Sequence, residues 1–186
     1  MEMDYTKMPV VDANCTKLNV GSGDMLMKGY INLDMNRTTR NGMTTDCIWD
    51  VEKLTVAFSK GRFTQIVCFH VIEHFPLKQA KKIIKDMYDL LAPMGELIME
   101  GPDILGIIQL YHEGHHIMNT PLKVIQQIYG SPTHIDTGLE WLHKWGWTRE
   151  TMRKEMEQIG FKVTHNGVGQ SHGMGRRDYR VAGRKI

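Results

Sequence analysis

Gly21-Ser22-Gly23 followed by Asp34 is the set of residues in this chain whose types and order most plainly suit chemistry. A short apolar run, Leu18-Asn19-Val20, breaks into the two glycines. The pattern recovers as Tyr30-Ile31-Asn32-Leu33 and ends on the acid. Strand, glycine turn, strand and carboxylate are the parts from which an open α/β sheet builds a nucleoside pocket. The glycines let a ligand approach the backbone, and the acid accepts both ribose hydroxyls. A Gly-x-Gly pair alone is most often a turn, so the flanking strands and the closing acid carry the inference. A dinucleotide fingerprint needs a third glycine, a helix aimed at a pyrophosphate and an acid about 20 residues on. Here the third glycine is missing, Asp34 arrives early, and the stretch between Gly23 and Gly29 holds a turn or two rather than a helix. S-adenosylmethionine, which has a ribose to hold and no phosphate to cradle, fits this arrangement better.

Other groups can also do chemistry. In His70-Val71-Ile72-Glu73-His74, a helical turn puts His70, Glu73 and His74 on one face. Such a face either anchors a loop by hydrogen bonds or holds a cation. Magnesium prefers oxygen ligands, so two imidazoles suit zinc or manganese instead, and the expectation is that no metal is bound. His112, His115 and His116 share a helical face, but no cysteine or clear acid joins them, which favours an exposed polar face. His143 lies in Trp141-Leu142-His143-Lys144-Trp145-Gly146-Trp147. An imidazole in aromatic company is either a general base or a buried, hydrogen-bonded side chain. His172, Arg176 and Arg177 sit in the glycine-bearing loop from His165 to Asp178. Arginines there suit a carboxylate or phosphate, or they pair with surface acids.

The elements that must position these groups follow from pattern. The 186 residues suit one domain with a sound core, and a net charge of +2 neither argues for nor excludes a nucleic-acid partner. Cys15, Cys47 and Cys68 share no close spacing, and Cys47 and Cys68, inside strand-like runs, read as reduced core thiols of a cytoplasmic protein. No apolar run is long enough to span a bilayer, and the acidic start is no signal peptide. Residues 1–16 read as an N-terminal leader. Strands are expected at Asp46–Trp49, Phe63–Phe69, Glu96–Glu100, Phe161–Thr164 and Tyr179–Gly183, with a turn at Pro93-Met94-Gly95. Helical spacing of Leu77, Ala80, Ile83, Ile84, Met87, Tyr88 and Leu91 gives a helix after Pro76. Another runs from Thr148 through Met152, Met156 and Ile159 to a stop at Gly160. Between them, Ile104–Ile117 and Pro121–Tyr129 are candidate helices in a looser region. Strands alternating with helices predict an α/β fold, a parallel sheet with helices on both faces.

LNVGSG at Leu18–Gly23, YINLD at Tyr30–Asp34, DCIWDVEKL at Asp46–Leu54, FTQIVCFHVIEHF at Phe63–Phe75 and LLAPMGELIMEGPD at Leu90–Asp103 resemble, in this order, the motifs of class I S-adenosylmethionine-dependent methyltransferases of the compact type 11 kind. WTRETMRKEMEQIGF at Trp147–Phe161 resembles the family's closing helix and strand. The resemblance implies a Rossmann-like methyltransferase fold, a seven-stranded, mostly parallel sheet with an antiparallel last strand. It also implies that Asn19, Gly21, Ser22, Gly23, Asp34, Met35, Asp50, Val51 and His70 line the cofactor. Asp34 would hold the ribose, Asp50 with the Val51 backbone would sit at the adenine edge, and His70 would lie near the sulfonium. Two departures stand out. Asn19 is neutral where many relatives carry an acid, and the first crossover is short.

The sulfonium methyl is already activated, so an in-line approach of the acceptor is the main requirement. The expected acceptor is a small, anionic or glycan-like molecule, bound by His172, Arg176 and Arg177 beneath residues 104–147 acting as a lid, with His143 as base. A metal-assisted RNA or catechol O-methyltransferase is the alternative enzyme. A partner or sensor that binds S-adenosylmethionine without turnover is the alternative outside enzymes. Oligomeric state is not legible.

Overall fold

The computed structural model describes residues 9–132, 138, 141–171, 173 and 175–186. Strands β1 (Lys17–Val20), β2 (Ile31–Asp34), β3 (Cys47–Ile48), β4 (Phe63–Phe69), β5 (Leu91–Pro102), β6 (Phe161–Val168) and β7 (Asp178–Lys185) form one sheet. Their order is β3-β2-β1-β4-β5-β7-β6. The first five strands pair parallel, and β7 runs antiparallel to both of its neighbours. The register Leu18↔Ile31 and Leu18↔Ile66 puts β1 between β2 and β4, where Leu18 and Val20 are wholly buried. A strand covered on both faces needs apolar residues on both, which is why these runs do not alternate.

The helices are α1 (Leu54–Ala57), α2 (Leu77–Leu90), α3 (Ile104–His112), α4 (Pro121–Tyr129) and α5 (Arg149–Ile159). Among the described residues, none is long and apolar enough to cross a membrane. α2 buries Ala80, Ile83, Ile84, Met87 and Leu90 against the sheet, as its spacing predicts. Of its lysines, Lys82 pairs with Asp86 one turn on at 2.6 Å, and Lys81 reaches Glu155 of α5 at 2.6 Å. α5 starts at a Thr148–Thr151 capping box and stops at Gly160, whose φ of 116° suits glycine.

Three elements depart most from the sequence reading, while β3 and β7 shift by one or two residues at their ends. α3 ends at His112, and the chain to Met118 closes in a 3₁₀ turn. β5 begins already at Leu91, and the expected turn at Pro93-Met94-Gly95 survives as a bulge inside it, with Met94 at φ 63°. β6 runs on to Val168, because Asn166 and Gly167 still pair with β7, so the loop before β7 shrinks to residues 169–177.

The main core joins both faces of the sheet. A separate small cluster of Ile107, Leu110 and Met118, with Val124 of α4 packed against it, lies in the segment of α3 and α4.

Glu100 of β5 fixes the shortened loop. Its carboxylate is buried, accepts the Gln170 and Ser171 N–H groups, and takes the Arg180 Nε–H at 3.0 Å. Burial pushes its pKa up, but the donors from Gln170, Arg180 and Ser171 outweigh burial and hold it below the ordinary value. A depressed folded pKa gives stability that is present above the unfolded value of about 4.3 and lost as pH falls through the folded one. Glu100→Gln is therefore expected to lower stability at neutral pH by about 2 kcal/mol. Urea unfolding at a series of pH values should also show a flatter acid limb for the variant than for the wild type.

Candidate active site

The glycine turn is tight for a reason outside itself. A Cβ on Gly21 would lie 2.3 Å from Val71 Cγ2, and φ there is 64°. Only glycine lets the end of β1 pass the turn that follows β4. Ser22 N–H then donates to the Leu33 carbonyl at 2.9 Å, and Gly23 N–H donates to Asp34 Oδ2 at 2.9 Å. Asn36 N–H binds Oδ1 at 2.9 Å, so the carboxylate is fixed while each oxygen keeps further acceptor capacity. Space above Gly23 is open, with nothing within 4 Å of a Cβ built there. Met35, the next residue after Asp34, is 60 % exposed, which leaves an apolar face beside the acid.

Asp34 pairs in register with Ile48, so Asp50 stands two residues beyond on the same edge. Asp50 Oδ1 accepts the Glu52 N–H at 2.9 Å and opens the 3₁₀ turn Val51–Lys53. The Val51 side chain is buried in the core, so what it can offer a ligand is backbone. A carboxylate for ribose hydroxyls, an apolar side chain for a base and an open glycine backbone fit S-adenosylmethionine.

Asn19 belongs to a different arrangement from the one expected of it. It is buried, and its Nδ2 donates to the Met25 carbonyl at 2.8 Å and to Asn32 Oδ1 at 3.0 Å. Asn32 Oδ1 also accepts the Met27 N–H, and its Nδ2 donates to Asp46 Oδ2 at 2.7 Å. This network pins the crossover between Gly23 and Tyr30, which contains no helix. Asn32 and Asp46 were not singled out from sequence. The signal for Asn32 is a polar side chain between the apolar Ile31 and Leu33 of β2.

Beyond β4, His70 has φ 55°, a left-handed conformation uncommon outside glycine, asparagine and aspartate. Its Nδ1 is 3.4 Å from Glu73 Oε1 and its Nε2 3.6 Å from Asp178 Oδ2. Burial pushes the imidazole pKa down, but the two carboxylates outweigh it and the net shift is upward.

The expected single face of His70, Glu73 and His74 does not form, because Ile72–His74 is a 3₁₀ turn rather than an α-helix. Instead Glu73 and His74 meet His143, with potential ligand atoms all within 4.8 Å of one another. The His74 and His143 rings are 5.0 Å apart, edge to face. His143 Nδ1 lies 3.0 Å from the Gln127 carbonyl, and burial lowers its pKa. Lys144 N–H donates to the Glu73 carbonyl at 2.7 Å, which ties this segment to the turn after β4.

Of the residues expected to bind the acceptor, His172 lies outside the described residues. Arg176 faces Glu113 of the α3 C-cap, at 2.6 Å and 3.0 Å. Arg177 is buried in a two-point pair with Asp178, at 2.7 Å and 2.9 Å. Arg177 also lines an open cleft of about 350 Å³ with His116, Ile117, Met118, Lys123 and Gln127. The rings of His115 and His116 stack 4.4 Å apart, and His115 Nδ1 accepts the Ile117 N–H as a cap.

Asp34→Ala removes the acceptor of two charge-assisted hydrogen bonds, each worth roughly 1.5–3 kcal/mol. Calorimetry is expected to show at least tenfold weaker cofactor binding in a folded variant. Unchanged affinity would take Asp34 out of the site.

Over residues 30–166 the chain matches the family described as "Methyltransferase domain". No curated protein matches it in sequence. Its structure is similar to that of a SAM dependent methyltransferase from Archaeoglobus fulgidus, at 14% identity and a TM-score of 0.59, over 93% of this chain and 87% of that one. It is also similar to a SAM-dependent methyltransferase from Methanosarcina mazei, at 15% identity and a TM-score of 0.60, over 91% and 92% of the two chains. At such identities the likeness is one of fold.

Proposed function

The chain belongs to the methyltransferase domain family, as a class I S-adenosylmethionine-dependent methyltransferase, and we propose that it methylates a small acceptor carrying an anionic group. When bound, S-adenosylmethionine supplies an electrophilic methyl on a sulfonium. Asp34 holds the ribose, Met35 covers the adenine, and Asp50 with the Val51 backbone reads its edge. Gly21, Ser22 and Gly23 let the methionine part pass along the backbone.

The observation that carries the acceptor reading is the cleft lined by His116, Lys123 and Arg177. Ligands of an open α/β sheet sit beyond the carboxyl ends of the parallel strands. α3 leaves the sheet at the end of β5, and Asp103 N–H donates to the Arg177 carbonyl, so this cleft stands at that end. Lys123 donates to Asn119 Oδ1 at 3.0 Å and to the His116 carbonyl at 3.3 Å, and its ammonium has a third donor to give. Arg176 is engaged by Glu113 at the surface, so the weight of the anion-binding role moves to Lys123. A carboxylate or phosphate ester, free or on a sugar, has the chemistry to dock there.

His70 is our candidate for taking the acceptor's proton. It follows β4 directly, beside Val71 against which the glycine turn packs. Asp178 and Glu73 set the orientation of its ring.

Acidic, neutral and basic acceptor pools are to be compared by release of the demethylated cofactor. Lys123→Ala is expected to raise KM for the acidic acceptor about tenfold while leaving cofactor affinity unchanged. Equal effects on charged and neutral acceptors would remove the anion from this reading.

His70→Asn keeps a residue that tolerates the left-handed backbone. A fall in kcat of about 10²–10⁴, with cofactor Kd within a few fold of wild type, is expected if His70 moves the proton. A kcat that does not change would overturn that role.

A further inference from the structure

Of the group Glu73, His74 and His143, the transfer reaction as derived above uses only Glu73, which orients His70. Glu73 is 3 % exposed. Neither of its carboxylate oxygens makes a hydrogen bond among the described residues, His70 lying at 3.4 Å. His74 Nδ1 is likewise buried without a hydrogen-bond partner among them. Buried polar atoms are normally satisfied, and an ionised carboxylate left this way is costly. The three side chains each bring a potential ligand atom close to those of the other two. His143 adds a further sign. Its Nδ1 faces the Gln127 carbonyl at 3.0 Å, so that nitrogen carries the hydrogen and Nε2 keeps the lone pair. An imidazole whose other N–H is held by a backbone carbonyl is the form in which histidine binds a metal.

We infer that Glu73, His74 and His143 bind one divalent transition cation, and the ligand set points to zinc. Two imidazoles and one carboxylate suit zinc, whereas magnesium demands oxygens in an octahedron. The ligand atoms lie within 4.8 Å of one another. Bonds of about 2.1 Å in a tetrahedron set neighbouring ligands ~3.4 Å apart, so side-chain rotations of about an ångström close the site. Glu73 ligates through one oxygen and keeps His70 near the other, an outer-sphere imidazole that orients the carboxylate. Three protein ligands leave a fourth position for water or an acceptor oxygen. Glu73 and His74 follow β4, while His143 comes from the far end of the substrate-side segment. The ion therefore clasps that segment to the sheet. This holds whether or not the methyltransferase reading does.

The test uses the full chain, stripped with a chelator and titrated with cobalt, zinc and magnesium. One cobalt per chain is expected, with the visible absorption of a four- or five-coordinate site. Zinc should displace it and raise the melting temperature, and magnesium should do neither. Glu73→Gln keeps the shape of the side chain, and His143→Asn is a second variant should the first not fold, with circular dichroism reporting the fold. Each is expected to weaken cobalt binding at least tenfold and bleach the band, while His112→Ala leaves both unchanged. No visible band at saturating cobalt, or a band that survives in a folded Glu73→Gln or His143→Asn protein, overturns the assignment. Cofactor calorimetry on the same stripped protein reports separately on the nucleoside site.

Discussion

The close passage of Gly21 against Val71 is the constraint on which the rest of the site depends. A Cβ at Gly21 would meet the Val71 side chain at 2.3 Å, so the turn after β1 and the turn after β4 share one small volume. Everything with chemistry hangs from those two turns. On one side stand Gly23 and, through its N–H, Asp34. On the other stand His70, Glu73 and His74. Strands β1 and β4 are neighbours in register, Val20 opposite Cys68, so the sheet itself delivers both turns to the same edge. Shape rather than charge thus brings the cofactor residues and the histidines together.

The short first crossover is the second organising feature. In a dinucleotide fold a helix after the glycine turn packs on the sheet and aims its N-terminus at phosphate. Here the chain makes turns, and a short loop cannot bury enough apolar surface to hold itself. Asn19 and Asn32 do that work by hydrogen bonds to Met25 and Met27, and Asp46 holds Asn32 in place. The neutral Asn19 makes sense in that network. It donates to the Met25 carbonyl and to Asn32 Oδ1, and a carboxylate at this position has no proton to give.

Much of this fold was legible because strand, glycine and acid recur in a fixed order. The amphipathic spacing of α2 and the Gly160 stop of α5 are likewise local properties. Local pattern ends where tertiary packing decides. The spacing of His70, Glu73 and His74 fits an α-helical face. The chain takes a 3₁₀ turn instead, and its Glu73 carbonyl accepts the Lys144 N–H from a segment distant in sequence. Nothing in residues 70–74 announces that partner. Arg176 and Arg177, adjacent in sequence, similarly go to different acids, Glu113 and Asp178, because a 3₁₀ turn splays them. The extent of β6 was missed for the converse reason. His165-Asn166-Gly167 reads as loop, and its pairing with β7 overrides that composition.

The two halves of the site rest on unequal foundations. The glycine turn and Asp34 extend from strands in the main core, where Leu18, Val20, Leu33 and Ile66 are wholly buried. The segment of α3 and α4 holds itself with the cluster of Ile107, Leu110 and Met118. Local opening free energy follows buried apolar contact, so α3 and α4 open more readily than the sheet beneath them. What joins them to the sheet is largely polar. Asp103 N–H donates to the Arg177 carbonyl, Ile104 N–H to the Trp147 carbonyl, and Arg176 pairs with Glu113. Gly106 adds a close backbone approach, since a Cβ there would lie 2.1 Å from the Arg176 carbonyl oxygen. Hydrogen bonds and ion pairs of this kind have water as a ready alternative partner, unlike buried methyl groups. A segment fastened by polar contacts therefore separates from the sheet at lower cost than one fastened by buried side chains.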